Sequence, residues 1–175
     1  MTKTNLFLIG AAKAGTTSLA EMLGNHSEIS PLAIKEPGHF CDDIYAEGFS
    51  ASYQKMLRWD EAQYFHAGAL DGRHMAFIQG CENYERLVAA AEEASYILDA
   101  STAYLPSVNA AENIAGYNSE AKVIVSLRNP LTRAYSHYNM ARKYGKEQRS
   151  FLLRYFAPSI EALEKLLEKN LTHWK

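Results

Sequence analysis

Residues 6–19 read Leu6-Phe7-Leu8-Ile9-Gly10-Ala11-Ala12-Lys13-Ala14-Gly15-Thr16-Thr17-Ser18-Leu19, or LFLIGAAKAGTTSL. An apolar run gives way to a loop of Gly and Ala around one Lys, then to hydroxyl residues and a helix-forming segment. Small side chains at Gly10, Ala11, Ala12, Ala14 and Gly15 let backbone N–H groups converge on an anion. The following helix adds the positive end of its dipole. Lys13 brings a full charge into the loop, and Thr16 and Thr17 offer hydroxyls at the helix start. Strand, loop and helix in this order predict an anion site at the carboxyl end of a strand. The plain alternative is a tight turn carrying an exposed Lys.

Working outward, two more short apolar runs read as strands beside Asn5–Ile9: Tyr96–Leu98 within SYILDA, and Lys122–Leu127, KVIVSL. Continuous apolar runs of this length suit a parallel sheet covered on both faces. Helices are expected over Gly15–Leu23 (ended by Gly24), within Cys81–Ala94, and over Pro106–Ile114, Pro130–Tyr144 and Pro158–Lys169. Strand–helix alternation gives an α/β class, a three-layer α/β/α fold with a parallel central sheet. Asp42–Gly80 has no sustained periodicity, and short helices are expected there. In the tail, Ile160, Leu163, Leu166, Leu167, Leu171 and Trp174 form one stripe, which predicts a docking helix.

The chain has 175 residues, 47% hydrophobic and 22% charged, which is enough for one domain, 1–175, with a real core. This composition excludes disordered and collagen-like chains, and no apolar run reaches the ~18–20 residues of a membrane span. Asn5–Ala12 is too short and too poor in flanking charge for a signal peptide. Cys41 and Cys81 form no CxxC, zinc pattern or disulfide framework, which fits a reducing cytoplasm. His26, His66, His74, His137 and His173 have no ligand spacing, so no metal is expected.

The net charge of −2 is unevenly spread. Lys122, Arg128, Arg133, Arg142, Lys143, Lys146, Arg149 and Arg154 share their segment with one acid, Glu147. Such a block suits a small anionic ligand better than nucleic acid, unless it is merely a solvated helix face. Arg128 ends the third expected strand. Asn129 can cap the next helix, Pro130 fits its first turn, and Gly145 closes it. Thr132, Arg133, Ser136 and Lys143 share one side of that helix.

The nucleoside-triphosphate loop GxxxxGK[ST] is the obvious comparison, but here Lys13 precedes the second glycine and Thr16 stands where that lysine would be. The sequence instead resembles the sulfotransferase family, in its glycosaminoglycan and bacterial carbohydrate branch. GAAKAGTTSL looks like that family's 5′-phosphosulfate loop. KVIVSLRNPLTRAYSHYNMARKYG looks like its 3′-phosphate signature, in which a Ser follows the strand-ending Arg by eight positions. KEPGHF, DASTAYL and the tail YFAPSIEALEKLLEKNLTHW are similar to its other segments. A long stretch usually separates the Arg/Ser helix from the terminal helix. Here only Lys146–Ser150 does so, as in a fragment, an internal deletion near 146–150 or a join across a gap.

The resemblance implies transfer of a sulfuryl group from 3′-phosphoadenosine 5′-phosphosulfate (PAPS), without a metal, to a carbohydrate hydroxyl or amine. Ala12, Lys13, Ala14, Gly15, Thr16 and Thr17 would take the 5′ end of this donor. Arg128 and Ser136 would take its 3′-phosphate, with Arg133 adding charge. Lys13 would stabilise charge on the leaving oxygen. Glu36, which Pro37 is expected to hold in extended backbone, is the leading base for the acceptor. His39 is the alternative, because imidazoles titrate nearer neutrality. A surface pair between Lys35 and Glu36 is the structural reading of the same residues. Ser101 and Thr102 are expected at the same sheet edge. The rival functions are a phosphate-loop kinase or NTPase, and a non-catalytic shortened relative.

Overall fold

The computed structural model describes residues 2–44, 54–55, 57–66, 73–91 and 93–143. Four strands, β1 (Leu6–Gly10), β2 (Ile29–Pro31), β3 (Tyr96–Ala100) and β4 (Lys122–Ser126), form one parallel sheet in the order β2-β3-β1-β4. The helices are α1 (Thr16–Gly24), α2 (Glu61–His66), α3 (Cys81–Ala89), α4 (Ala110–Tyr117) and α5 (Pro130–Lys143), with a 3-10 turn at Thr102–Tyr104. Among the described residues no helix is long and apolar enough to cross a membrane. The chain divides into two compact units, 1–128 and 129–175.

Side chains alternate across β1, and each face has its own core. Leu6 and Leu8 pack with Leu98, Ala100 and Ala20 of α1. Phe7, on the other face, packs with Ile97, with Tyr84, Leu87 and Val88 of α3, and with Ala110 and Ile114 of α4. Helices on both faces of the sheet make the three layers expected of this α/β fold.

The connection from β1 to β2 runs through α1 on one face and passes β3. The connection from β3 to β4 runs through α4 on the other face and passes β1. Neighbouring strands β1 and β3 thus send their chains to opposite faces, which opens a crevice beyond their carboxyl ends, where sheets of this kind bind ligands.

Three details differ from the sequence reading. β2 has only three residues, Ile-Ser-Pro, too short and too polar for an apolar run to reveal it. β4 lies at the end of the strand order, and Val123 and Val125 are each 50% exposed, so this run is an edge strand rather than one covered on both faces. The helix expected from Pro106 starts at Ala110, because the Ser107 hydroxyl receives the N–H groups of Asn109 and Ala110 and delays it. Within Asp42–Gly80 a short helix, α2, does form. Tyr144 and the whole tail, with its expected docking helix, lie outside the described residues.

Candidate functional site

The loop after β1 is built by backbone geometry. Gly10 faces β4 so closely that a Cβ there would stand 2.5 Å from the Ser126 carbonyl oxygen. The Ala11 N–H donates to that carbonyl at 3.1 Å, and the Ala14 N–H turns back to the Ala11 carbonyl at 2.9 Å. Lys13 and Gly15 take left-handed backbone, φ 69° and 88°. For a non-Gly residue such a conformation carries strain of ~1–3 kcal/mol that its surroundings must offset. The surroundings here are two side chains from the β4 edge. Ser126 Oγ donates to the Ala14 carbonyl at 2.9 Å, and Arg128 Nη1 donates to the Lys13 carbonyl at 3.2 Å.

A trans peptide points its C=O and N–H in opposite directions. Tying the Ala11 and Ala14 carbonyls therefore turns the Ala12 and Gly15 N–H groups the other way. No side chain caps α1, and the N–H groups of Ala12, Lys13, Gly15, Thr16 and Thr17 have no acceptor among the described residues. Thr16 is buried and Thr17 exposed. This is a nest of donors at a helix start, with one lysine in it and one guanidinium against it, and it suits a phosphate-like group.

A second cluster sits at the carboxyl end of β3. The Glu36 N–H donates to the Ala100 carbonyl at 3.0 Å, and the Glu36 carbonyl accepts from Ala76 at 3.1 Å. Pro37 does not leave Glu36 extended: its φ is +64°. The pre-proline restriction disfavours right-handed helical backbone, and clamping between Ala100 and Ala76 selects the left-handed region. Gly38 follows at φ +60°, and a Cβ there would meet Phe77 Cδ1 at 2.9 Å. The Glu36 carboxylate is held on both oxygens, by Lys35 Nζ on Oε1 at 2.7 Å and by Thr102 Oγ1 on Oε2 at 2.6 Å. The expected Lys35–Glu36 pair exists, but its side chains are only 19% and 11% exposed, so it is not a surface pair.

His39 turns inward. Its ring stacks on Tyr84 at 4.4 Å and 10°, meets Phe40 edge-on, and places Nδ1 3.0 Å from the Ile78 carbonyl. Beneath this turn lies Asp99, fully buried. Ser101 Oγ donates to its Oδ1 at 2.8 Å, while Tyr104 and Tyr84 hydroxyls donate to Oδ2 at 2.8 and 2.9 Å. Burial pushes the Asp99 carboxyl up to about 6, and the three hydroxyls oppose that rise. The Cys41 thiol, raised to about 12 mainly by burial, donates to the Gly38 carbonyl and is chemically inert.

The structure brings Lys13, Thr16, Thr17 and Arg128 to one loop, and Glu36, Ser101 and Thr102 to the end of the neighbouring strand. Ser136 lies on α5, which Asn129 Oδ1 caps by accepting from Leu131 at 3.0 Å. Lys122, counted in the basic block, is instead spent on the Tyr96 hydroxyl at 2.8 Å. The tyrosines around Asp99 were not visible as site residues. Tyr84 meets Asp99 across fifteen positions and Thr4 across eighty, and no local spacing reports such a contact. Among the described residues no three His, Cys, Asp or Glu side chains are grouped to hold a metal.

Known proteins resemble this chain in sequence and in fold. A heparan sulfate N-deacetylase/N-sulfotransferase 1 (bifunctional) from Caenorhabditis briggsae is 28% identical over 134 residues, 77% of this chain and 12% of that protein. The crystal structure of a sulfotransferase from Alicyclobacillus acidocaldarius matches with a TM-score of 0.60 and 26% identity, over 82% of this chain and 51% of that one. The chain thus spans about half the solved relative and a small part of the curated one. The family model described as "Sulfotransferase family" matches residues 5–175, and the chain belongs to that family.

Proposed function

We propose that this chain transfers a sulfuryl group from PAPS to a hydroxyl or amine of a carbohydrate. The observation that carries the reading is the 3.2 Å bond from the Arg128 guanidinium to the Lys13 carbonyl, on a loop whose N–H groups stand open. One cation inside a nest and a second against its outer edge fit a donor with two separate anionic groups. A nucleoside triphosphate, with its phosphates in a single row, has less use for the second. Ala12, Lys13, Ala14, Gly15, Thr16 and Thr17 would hold the 5′-phosphosulfate, and Arg128 with Ser136 the 3′-phosphate. The match across residues 5–175 supports one domain, 1–175.

The bound donor supplies an electrophilic sulfur whose leaving group is a phosphate. Lys13 meets the negative charge that gathers on the bridging oxygen as the S–O bond breaks, a stabilisation larger in the transition state than before it. Glu36 takes the acceptor proton as the acceptor atom bonds to sulfur. Lys35 and Thr102 fix its carboxylate, and each oxygen keeps a second lone pair for that proton. His39 is the second candidate base; with Nδ1 facing the Ile78 carbonyl, Nε2 is its remaining nitrogen. A carbohydrate acceptor is supported by the heparan sulfate relative. A cytoplasmic location is consistent with two free thiols, Cys41 and Cys81.

Calorimetry tests the donor, with 3′-phosphoadenosine 5′-phosphate and ATP as titrants, each with and without magnesium or a chelator. The bisphosphate should bind equally well in chelator, and ATP weakly in either buffer. Magnesium-dependent ATP binding would instead make this a kinase or NTPase. Sulfation of a glucosamine oligosaccharide but not of 4-nitrophenol would support the acceptor class, and the reverse would overturn it.

A further inference from the structure

We infer that Asp99 is a positioning residue for acceptor activation: its buried carboxylate orients the Ser101 and Tyr104 hydroxyls so that these hold the Gly38 and His39 N–H groups and thereby present Glu36. The catalytic half of this inference rests on the reading of Glu36 as the acceptor's base.

A hydroxyl has one proton and two lone pairs, whereas an ionised carboxylate only accepts. Asp99 therefore draws the Ser101 proton to Oδ1 and the Tyr104 proton to Oδ2, both at 2.8 Å. The lone pairs left on those oxygens receive the backbone: Gly38 N–H to Ser101 Oγ at 3.3 Å, and His39 N–H to Tyr104 Oη at 3.1 Å. These are the two residues that follow Glu36-Pro37. Their amides lie inside the protein, away from any helix or strand ladder, so the hydroxyls are what satisfies them.

A third arm reaches the same turn. The Tyr84 hydroxyl donates to Asp99 Oδ2 at 2.9 Å, and its ring is the platform on which the His39 imidazole stacks. Thr102, one position past Ser101, then grips Glu36 Oε2 at 2.6 Å. One short stretch, Asp99 to Tyr104, thus contacts the turn at the Glu36 side chain and at the Gly38 and His39 amides. The turn needs such a hold, because Glu36 and Gly38 both carry positive φ. Replacing Asp99 by Asn keeps the shape but adds donors on one arm, so the hydroxyls lose the reason to point one way.

The test uses the full chain, 15N-labelled, in four forms: wild type, Asp99→Asn, Ser101→Ala and Tyr104→Phe. Amide hydrogen exchange is followed at Gly38 and His39, with Phe7 and Leu8 of β1 as the measure of global stability. Ser101→Ala should speed exchange at Gly38 about tenfold and Tyr104→Phe at His39, while Asp99→Asn speeds both and β1 stays protected. In the same samples, Asp99→Asn should lower kcat at least tenfold on a glucosamine oligosaccharide, with the Kd for 3′-phosphoadenosine 5′-phosphate unchanged. Unaltered exchange at Gly38 and His39 in Asp99→Asn overturns the inference, as does a loss of kcat matched by an equal loss of donor affinity. Should Asp99→Asn fail to fold, the two single-hydroxyl variants decide it: exchange that rises together at both amides, or at neither, overturns it. Full turnover in Glu36→Gln removes the base assignment alone, since the amide pattern is read independently of activity.

Discussion

The proposed donor loop and the proposed acceptor turn lie at the ends of neighbouring strands and are made in opposite ways. Residues 10–17 form their site from backbone, with small side chains, left-handed Lys13 and Gly15, and open N–H groups. Residues 35–39 form theirs from side chains that come from 63 to 66 positions away: Thr102, and Ser101 and Tyr104, whose hydroxyls both bond to buried Asp99. A phosphate-like group can be met by generic dipoles, since it needs charge and many donors. A base must be aimed at one proton, and aiming requires specific distant partners.

The sharpest way to break this contrast is at Lys13. Lys13→Ala should lower turnover by ~100–1000-fold, the scale of losing one preorganised transition-state donor, with a much smaller change in donor Kd. Equal losses in both would make Lys13 a binding residue only.

Next comes the buried carboxylate. Asp99 holds its proton more tightly in the folded chain, at about 6 against 3.8 ordinarily, so folding takes up protons between those values. Its contribution to stability therefore declines as pH rises from about 4 to 6, by roughly 3 kcal/mol in all. Denaturant melts of wild type and Asp99→Asn should differ by that much more in favour of wild type at pH 4 than at pH 7. A gap independent of pH would mean that Asp99 does not titrate there. Glu36, Tyr84, Tyr104 and Cys41 surround it, but each variant keeps all four.

Gly10→Ala should cost about 1–3 kcal/mol of stability, since its Cβ would enter the Ser126 carbonyl and force β1 from β4. An unchanged denaturation midpoint would show that the strand gap is looser than described. The smallest effect is expected at Thr102→Val, which leaves one Glu36 oxygen with Lys35 as the other's only side-chain anchor. Turnover should fall about fivefold, or ~1 kcal/mol, with donor affinity unmoved. No change in kcat would mean that Lys35 alone fixes the carboxylate.

What the sequence revealed followed the same divide. The donor loop could be read because its strand, small residues, lysine and helix start lie within fourteen positions. Arg128 was legible too, through its place at the end of an apolar run. Glu36 was visible as a residue but not in its conformation. Pro37 argued for extended backbone, and only the clamp between Ala100 and Ala76 reverses that. Asp99 carried no local signal, because its three hydroxyl partners come from α3, the 3-10 turn and the loop before it. β2 escaped notice for a related reason, since three residues ending in Pro form a strand only when β3 is there to pair with them.

The proposed role of Arg128 is to give the donor loop a second anionic subsite. Its most direct test is the ratio of Kd values for adenosine 5′-phosphate and 3′-phosphoadenosine 5′-phosphate, measured in wild type and in Arg128→Ala. Wild type should prefer the bisphosphate by ~10–100-fold, about 1.5–3 kcal/mol for a charge-assisted bond, and Arg128→Ala should erase most of this preference. A wild-type protein that binds both nucleotides equally, or a preference that survives in Arg128→Ala, would contradict it.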